Sequence, residues 1–159
     1  MRDFGCVQSP INAYMLNLGL ESLHVRMARH CENGQAVAEF LASHPKIAYV
    51  NYCGLPGDKY HAVAEKYLPN GSCGVVSFGV KGGREAAAAF MGHLKIAAIE
   101  THVADARTCC LHPASSTHRQ MNDEQLIAAG VQPDLVRMSC GLEDKNDLIH
   151  DIAQALDQI

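Results

Sequence analysis

DLVRMSCGLED, residues 134–144, runs directly into KNDLIHDIAQALDQI, residues 145–159, and the reading of this join decides the fold. Leu135–Ser139 alternates as a strand does, with Val136, Met138 and Cys140 on one face and Leu135, Arg137 and Ser139 on the other. In the second segment Leu148, Ile152 and Leu156 recur at four-residue steps, the spacing of an amphipathic helix that needs an apolar surface to lie on. A strand with one apolar face leading into such a helix predicts an α/β domain with its helices layered on one side of a sheet. Arg137 is the residue out of place. Its guanidinium keeps its charge at any pH and is costly to take out of water without a partner. Two readings are open from the residues alone: an internal ion pair with Glu143, Asp144 or another acid, or contact with a carboxylate or phosphate ligand.

Outward from this join the chain alternates between the two periods. IAYVNY (47–52), GVVSFGV (74–80), LKIAAIET (94–101) and TCCL (108–111) read as strands, the last two as neighbours. YHAVAEKYL (60–68), stopped by Pro69-Asn70-Gly71, and REAAAAFMGHL (84–94) read as helices. MNDEQLIAAG (121–130) is a capped helix, with Asn122 as N-cap, Gln125 reaching back to it and Gly130 as the stop. At the start, Ser9 caps and Pro10 opens a long helix, bent near Gly19, whose stripe is Leu20, Leu23, Met27, Cys31, Gly34, Val37 and Leu41. A helix of that length on so small a domain is expected to pack partly on something outside it.

At 159 residues, 48% of them apolar, the chain is long enough to bury a core without disulfides. A formal charge of −4 and the absence of any Lys/Arg cluster argue against a nucleic-acid surface. No run of about 18 apolar residues suggests a membrane span, and MRDFGCVQSP does not read as a signal peptide. Seven cysteines without a CxxC pair are expected to be reduced, mostly buried thiols of a cytoplasmic protein. Cys109, His112 and His118 match no common zinc spacing, so no metal site is expected. VKGGREAA (80–87) lacks the full phosphate-loop form and reads as a plain strand-to-helix turn. With nine histidines, a cysteine–histidine pair arises by chance, and no local signature supports a catalytic one.

Four stretches together carry a family resemblance: QSPINAYMLNLGLESLHVRMARHCENGQAVAEFL (8–41), VNYCGLPGDKYHAVAEKYLPNGSCGVVSFGVKGGREAA (50–87), HPASSTH (112–118) and PDLVRMSCGLEDKNDLIHDIAQAL (133–156). The chain resembles the trans-sulfuration enzymes, the pyridoxal-phosphate enzymes of cysteine and methionine metabolism, and among them the O-acetylhomoserine sulfhydrylases. The resemblance implies the C-terminal small domain of a fold-type I PLP-dependent transferase. That domain is a mainly antiparallel sheet of about four strands with helices on one face (45–159), preceded by a long connector helix (1–44). It implies that the PLP-binding N-terminal domain, with its Schiff-base lysine, is absent. None of Lys46, Lys59, Lys66, Lys81, Lys95 and Lys145 sits in the family's Ser-x-Thr-Lys setting. The segment alone is therefore expected to be inactive, because the cofactor is the electron sink of the chemistry.

The same resemblance implies roles for three residues. Arg137 takes the place of the arginine that pairs with the substrate α-carboxylate, a two-pronged contact that orients the amino acid. His102, three residues before Asp105, stands where asparagine or serine is usual and would give a second contact through its side chain or its backbone N–H. Thr117 stands where a threonine supports that site. Ala104 for glycine, Cys109-Cys110 for two aliphatics and Cys140 for valine are further departures. The implied partners are O-acetyl-L-homoserine, sulfide or a thiol, and like subunits in a tetramer. The alternatives are a methionine γ-lyase or cystathionine γ-synthase domain, or a non-catalytic binding domain.

Overall fold

A computed structural model describes residues 2–159. In chain order the elements are α1 (Pro10–Glu21), α2 (Leu23–Ser43), β1 (Ile47–Asn51), α3 (His61–Tyr67), β2 (Val75–Val80), α4 (Gly83–His93), β3 (Ala98–Ile99), β4 (Cys109–Leu111), α5 (Asp123–Ala128), β5 (Leu135–Ser139) and α6 (Lys145–Asp157). The strands make one sheet in the order β1-β2-β5-β4-β3, with β5 at its centre. All pairings are antiparallel except β3 with β4. The sheet thus has one strand more than the four expected, and the extra edge makes it mixed. That edge is also far shorter than the predicted 94–101 strand, for a physical reason. The N–H groups of Lys95, Ile96 and Ala97 all donate to the buried carboxylate of Asp151 on α6, so they are lost to any ladder.

The alternation read from β5 holds. Val136, Met138 and Cys140 are fully buried and share one cluster with Val76, Phe78 and Val80 of β2. Val37, Ala38 and Leu41 of α2, Phe90 of α4 and Leu148, Ile152 and Leu156 of α6 close over them, so the three helices lie on that face. Phe78 and Phe90 meet edge to face with ring centroids 5.8 Å apart. The predicted caps form: Ser9 accepts from Asn12 N–H, and Asn122 and Gln125 make the reciprocal capping box.

The long first helix departs from expectation in two ways. It breaks at Ser22 rather than bending at Gly19, and only its second half joins the core. The buried face of α2 is His30, Asn33, Gly34, Val37, Ala38 and Leu41. Leu20 and Leu23, the start of the predicted stripe, stay exposed, and α1 has no buried residue. Among the described residues no helix is long and apolar enough to cross a membrane.

The turn after β5, Cys140–Glu143, is held from several directions at once. His30 Nδ1 donates to Cys140 O (2.7 Å), and Asn33 Nδ2 donates to both Gly141 O and Glu143 O (2.9 Å each). Gly141 N–H donates to Thr108 Oγ1 (2.8 Å), while Glu143 accepts from Thr108 N–H (2.6 Å) and from the Thr108 hydroxyl (2.8 Å). Leu142 N–H reaches Ala106 O at 2.8 Å. Gly141 is required there, since a Cβ would lie 2.5 Å from backbone atoms of Ala106, Arg107 and Thr108.

Two outcomes test this account. Gly141→Ala should lose about 2–3 kcal/mol of stability, because only backbone can yield, and urea unfolding measures it. A chain starting at Leu23 should keep its melting temperature within about 2 °C, since α1 buries nothing; a larger fall would show that α1 packs on this domain.

Candidate functional site

On the face away from the helices, Asn51, Ser77, Arg137 and Leu111 form one row across β1, β2, β5 and β4. Arg137 is the cation of that row. Its guanidinium donates to Thr101 O at 2.8 Å, and its Nε is buried with no hydrogen-bond partner. It makes no ion pair among the described residues. The internal-pair reading fails on both named acids: Glu143 is engaged by Thr108, and Asp144 caps α6 through Asn146 N–H at 2.8 Å. A half-buried guanidinium with an unmet donor and no acid beside it can still take an anion in a forked contact.

The loop between β3 and β4 arches over this face. Ala104 N–H donates to Ser139 Oγ (3.0 Å), which ties the loop to the residue two along from Arg137. Ala104 has φ +57°, a left-handed conformation in which glycine carries no Cβ penalty. His102, 60% exposed in its side chain, sets Nδ1 3.1 Å from Glu100 and 3.5 Å from Asp105. Arg107 lies 3.1 Å from Glu100 and 3.8 Å from Asp105. The Arg107 N–H on Asp105 Oδ1, with the His102 and Arg107 side chains beside it, holds the Asp105 carboxyl below the usual carboxylate range.

The structure therefore brings Arg137 and the His102 segment together through Thr101. Thr117 is not joined to them by any described hydrogen bond; its hydroxyl pairs with His118 Nδ1 at 2.9 Å. Nor do Cys109, His112 and His118 converge. Both ring nitrogens of buried His112 are used, Nε2 donating to Pro133 O (2.8 Å) and Nδ1 facing Ser115 Oγ (2.9 Å). Lys81-Gly82-Gly83 is a turn with both glycines at positive φ, as read. Three of the seven thiols are buried, fewer than expected; burial pushes Cys140 up to about 12 and raises Cys110 as well. A cavity of about 590 Å³, lined by Cys31, Gln35, Tyr52, Cys53, His61 and Glu65, contains none of Arg137, His102 and Thr117.

Glu100, Thr108 and the His30–Asn33 pair escaped the sequence reading. No motif marks them, and their hydrogen-bond partners lie 7 to 110 residues away.

A family model described as Cys/Met metabolism PLP-dependent enzyme matches residues 1–157. An O-acetyl-L-homoserine sulfhydrylase of Leptospira meyeri is 44% identical over all of this chain and 36% of its own length. A homocysteine synthase of Schizosaccharomyces pombe is 43% identical over 99% of this chain and 37% of its own. A crystal structure assigned as an O-acetylhomoserine (thiol)-lyase of Campylobacter jejuni superposes with a TM-score of 0.88 at 39% identity, covering 98% of this chain and 37% of that one. It carries a pyridoxyl-lysine outside the matched region. The chain thus spans little more than a third of the length of these relatives.

Ser139→Ala should free the Ala104 N–H and speed its amide exchange by about fivefold to tenfold, leaving exchange in the β2–β5 ladder unchanged. Equal protection in both proteins would mean that the loop holds without this tie.

Proposed function

The chain belongs to the family of Cys/Met metabolism PLP-dependent enzymes, and we propose that it is the part of such an enzyme that grips the carboxylate of an amino-acid substrate. The intact protein acts, in this reading, as an O-acetylhomoserine sulfhydrylase. It replaces the acetoxy group of O-acetyl-L-homoserine with sulfide or a thiol, giving homocysteine or methionine. The 44% and 43% identities to an O-acetyl-L-homoserine sulfhydrylase and a homocysteine synthase support the choice of reaction.

One observation carries the role of this segment. Arg137 projects from the central strand on the face the helices leave open, anchored by one N–H and unpaired by any described acid. A substrate carboxylate laid against it would gain a charge-assisted, two-point contact and a fixed orientation. His102 is assigned a second contact, supported by the Thr101 carbonyl that joins its segment to Arg137. Thr117 is assigned a supporting role on the family resemblance alone.

The lysines with described partners do not fit a Schiff-base role. Lys46 Nζ donates to Leu156 O (2.7 Å) and Ile159 O (2.6 Å), Lys81 Nζ to Pro45 O (2.7 Å), and Lys145 Nζ to Glu32 (2.9 Å). Lys59 and Lys66 lie over the rings of Tyr60 and Tyr67. Pyridoxal phosphate is accordingly assigned to chain beyond this segment, and residues 1–44 to the connector toward it. The exposed apolar side chains of Ile11, Tyr14, Met15, Leu16 and Leu18 support that connection, since a helix apolar on all sides is normally enclosed. Assembly into a tetramer of like subunits is part of the same reading.

In the intact enzyme, Arg137→Lys should cut kcat/KM for O-acetyl-L-homoserine by about 30–100-fold while cofactor absorbance stays unchanged, because a lysine cannot reproduce the fork. Unaltered kinetics would return Arg137 to a structural role. The 39% identity to an L-methionine gamma-lyase of Fusobacterium nucleatum favours a second reading, cleavage of methionine. Methanethiol release from methionine at a rate above sulfide-dependent replacement would select it.

A further inference from the structure

We infer that Glu100, His102 and Cys109 form a binding site for a thiophilic divalent cation such as zinc, on the face of the sheet that carries Arg137. One ligand atom from each, an oxygen, a nitrogen and a sulfur, lies within 4.8 Å of the other two. Such a mixed set suits zinc, which takes carboxylate, imidazole and thiolate in tetrahedral sites. Asp105, whose Oδ2 is 3.5 Å from the same His102 nitrogen, adds a second carboxylate next to this trio.

The donors are held by the fold. The parallel pairing of Ala98 with Cys109 and Ile99 with Cys110 sets Glu100 beside the start of β4, and Glu100 N–H extends the ladder to Cys110 O at 3.2 Å. Cys109 lies opposite Ser139, so its side chain faces the loop rather than the core. The loop in turn is tied by Ala104 N–H to Ser139 and by Ala106 O to Leu142 N–H.

Charge favours the same ligand. Glu100 and Asp105 put two carboxylates around His102, and Arg107 spans both from a side chain that is 61% exposed. An exposed ion pair holds weakly, so an ion bound by three donors displaces Arg107 at little cost. On binding, the buried Cys109 gives up its contact with Arg107 O (3.5 Å), loses its thiol proton to solvent and ligates as thiolate, and His102 ligates as neutral imidazole through Nδ1; nothing is oxidised or reduced. The loop so fixed is the one whose Thr101 carbonyl holds Arg137, which makes the ion a device acting on the reach of that guanidinium. The site itself stands independently of the function assigned to Arg137.

Cobalt(II) titrated into the full 159-residue chain under reducing conditions reports the site directly. One saturable thiolate-to-cobalt charge-transfer band should appear in the near ultraviolet and vanish on addition of zinc. Cys109→Ser should remove the band. His102→Ala and Glu100→Gln, both at accessible positions, should weaken cobalt binding more than about tenfold. Arg107→Gln should strengthen it, because the competing cation is gone. A band that survives Cys109→Ser would move the metal to other thiols, such as Cys31 and Cys53. Either that result, the absence of a saturable band, or affinities indifferent to His102 and Arg107 would overturn the proposal.

Discussion

The peptide groups between Cys140 and Glu143 are the point on which the domain turns. They receive hydrogen bonds from His30 and Asn33 on α2, Gly141 N–H donates to the Thr108 hydroxyl at the start of the β4 segment, and the Glu143 carboxylate accepts from Thr108 in return. Two separate parts of the chain, α2 and the segment leading into β4, are thereby locked to the end of the central strand. Buried peptide groups left without partners are costly, so each of these contacts is selected by the others. The arrangement sets the register of β5 against β2 and β4, and that register decides that Arg137 stands opposite Ser77 and Leu111 on the open face.

Arg137 is left in an unusual state by this geometry. Glu143 and Asp144, the acids that follow it in sequence, are consumed by the turn and by the cap of α6, Asp134 before it faces the Tyr49 hydroxyl, and the loop above it contributes a carbonyl but no ion pair. Partial burial raises the cost of an unpaired charge, and in the proposed reading the substrate carboxylate supplies the missing anion. The charges of the overlying loop are arranged otherwise. Glu100, His102, Asp105 and Arg107 pair with one another, and none of them forms an ion pair with the Arg137 guanidinium.

The N-terminal arm states the opposite condition in apolar terms. From Phe4 to Val25 it exposes a series of large hydrophobic side chains, while α2 from His30 onward sits firmly in the core. The chain spans little more than a third of the length of the relatives it matches. The arm's helical form is locally determined by the Ser9 cap and Pro10; its exposure is not.

Much of this was legible from residues alone, wherever the deciding interaction spans a few positions. The alternation of Val136 and Met138, the Asn122–Gln125 box, the stripe of α6 and the glycine turn at Gly82-Gly83 are all local, and all form as read. Arg137 was conspicuous because a fixed charge interrupts an apolar run. Other features required the assembled molecule. Asp151 silences three ladder donors 54 to 56 residues away, and His30 grips a carbonyl 110 residues on. The break at Ser22, the short β3 edge and the gathering of Glu100, His102 and Cys109 likewise follow from packing. Sequence periodicity records which face a residue belongs to, because side-chain direction follows backbone geometry one residue at a time. Which buried polar group meets which depends on how the layers close, and that is settled only when distant segments share the same space.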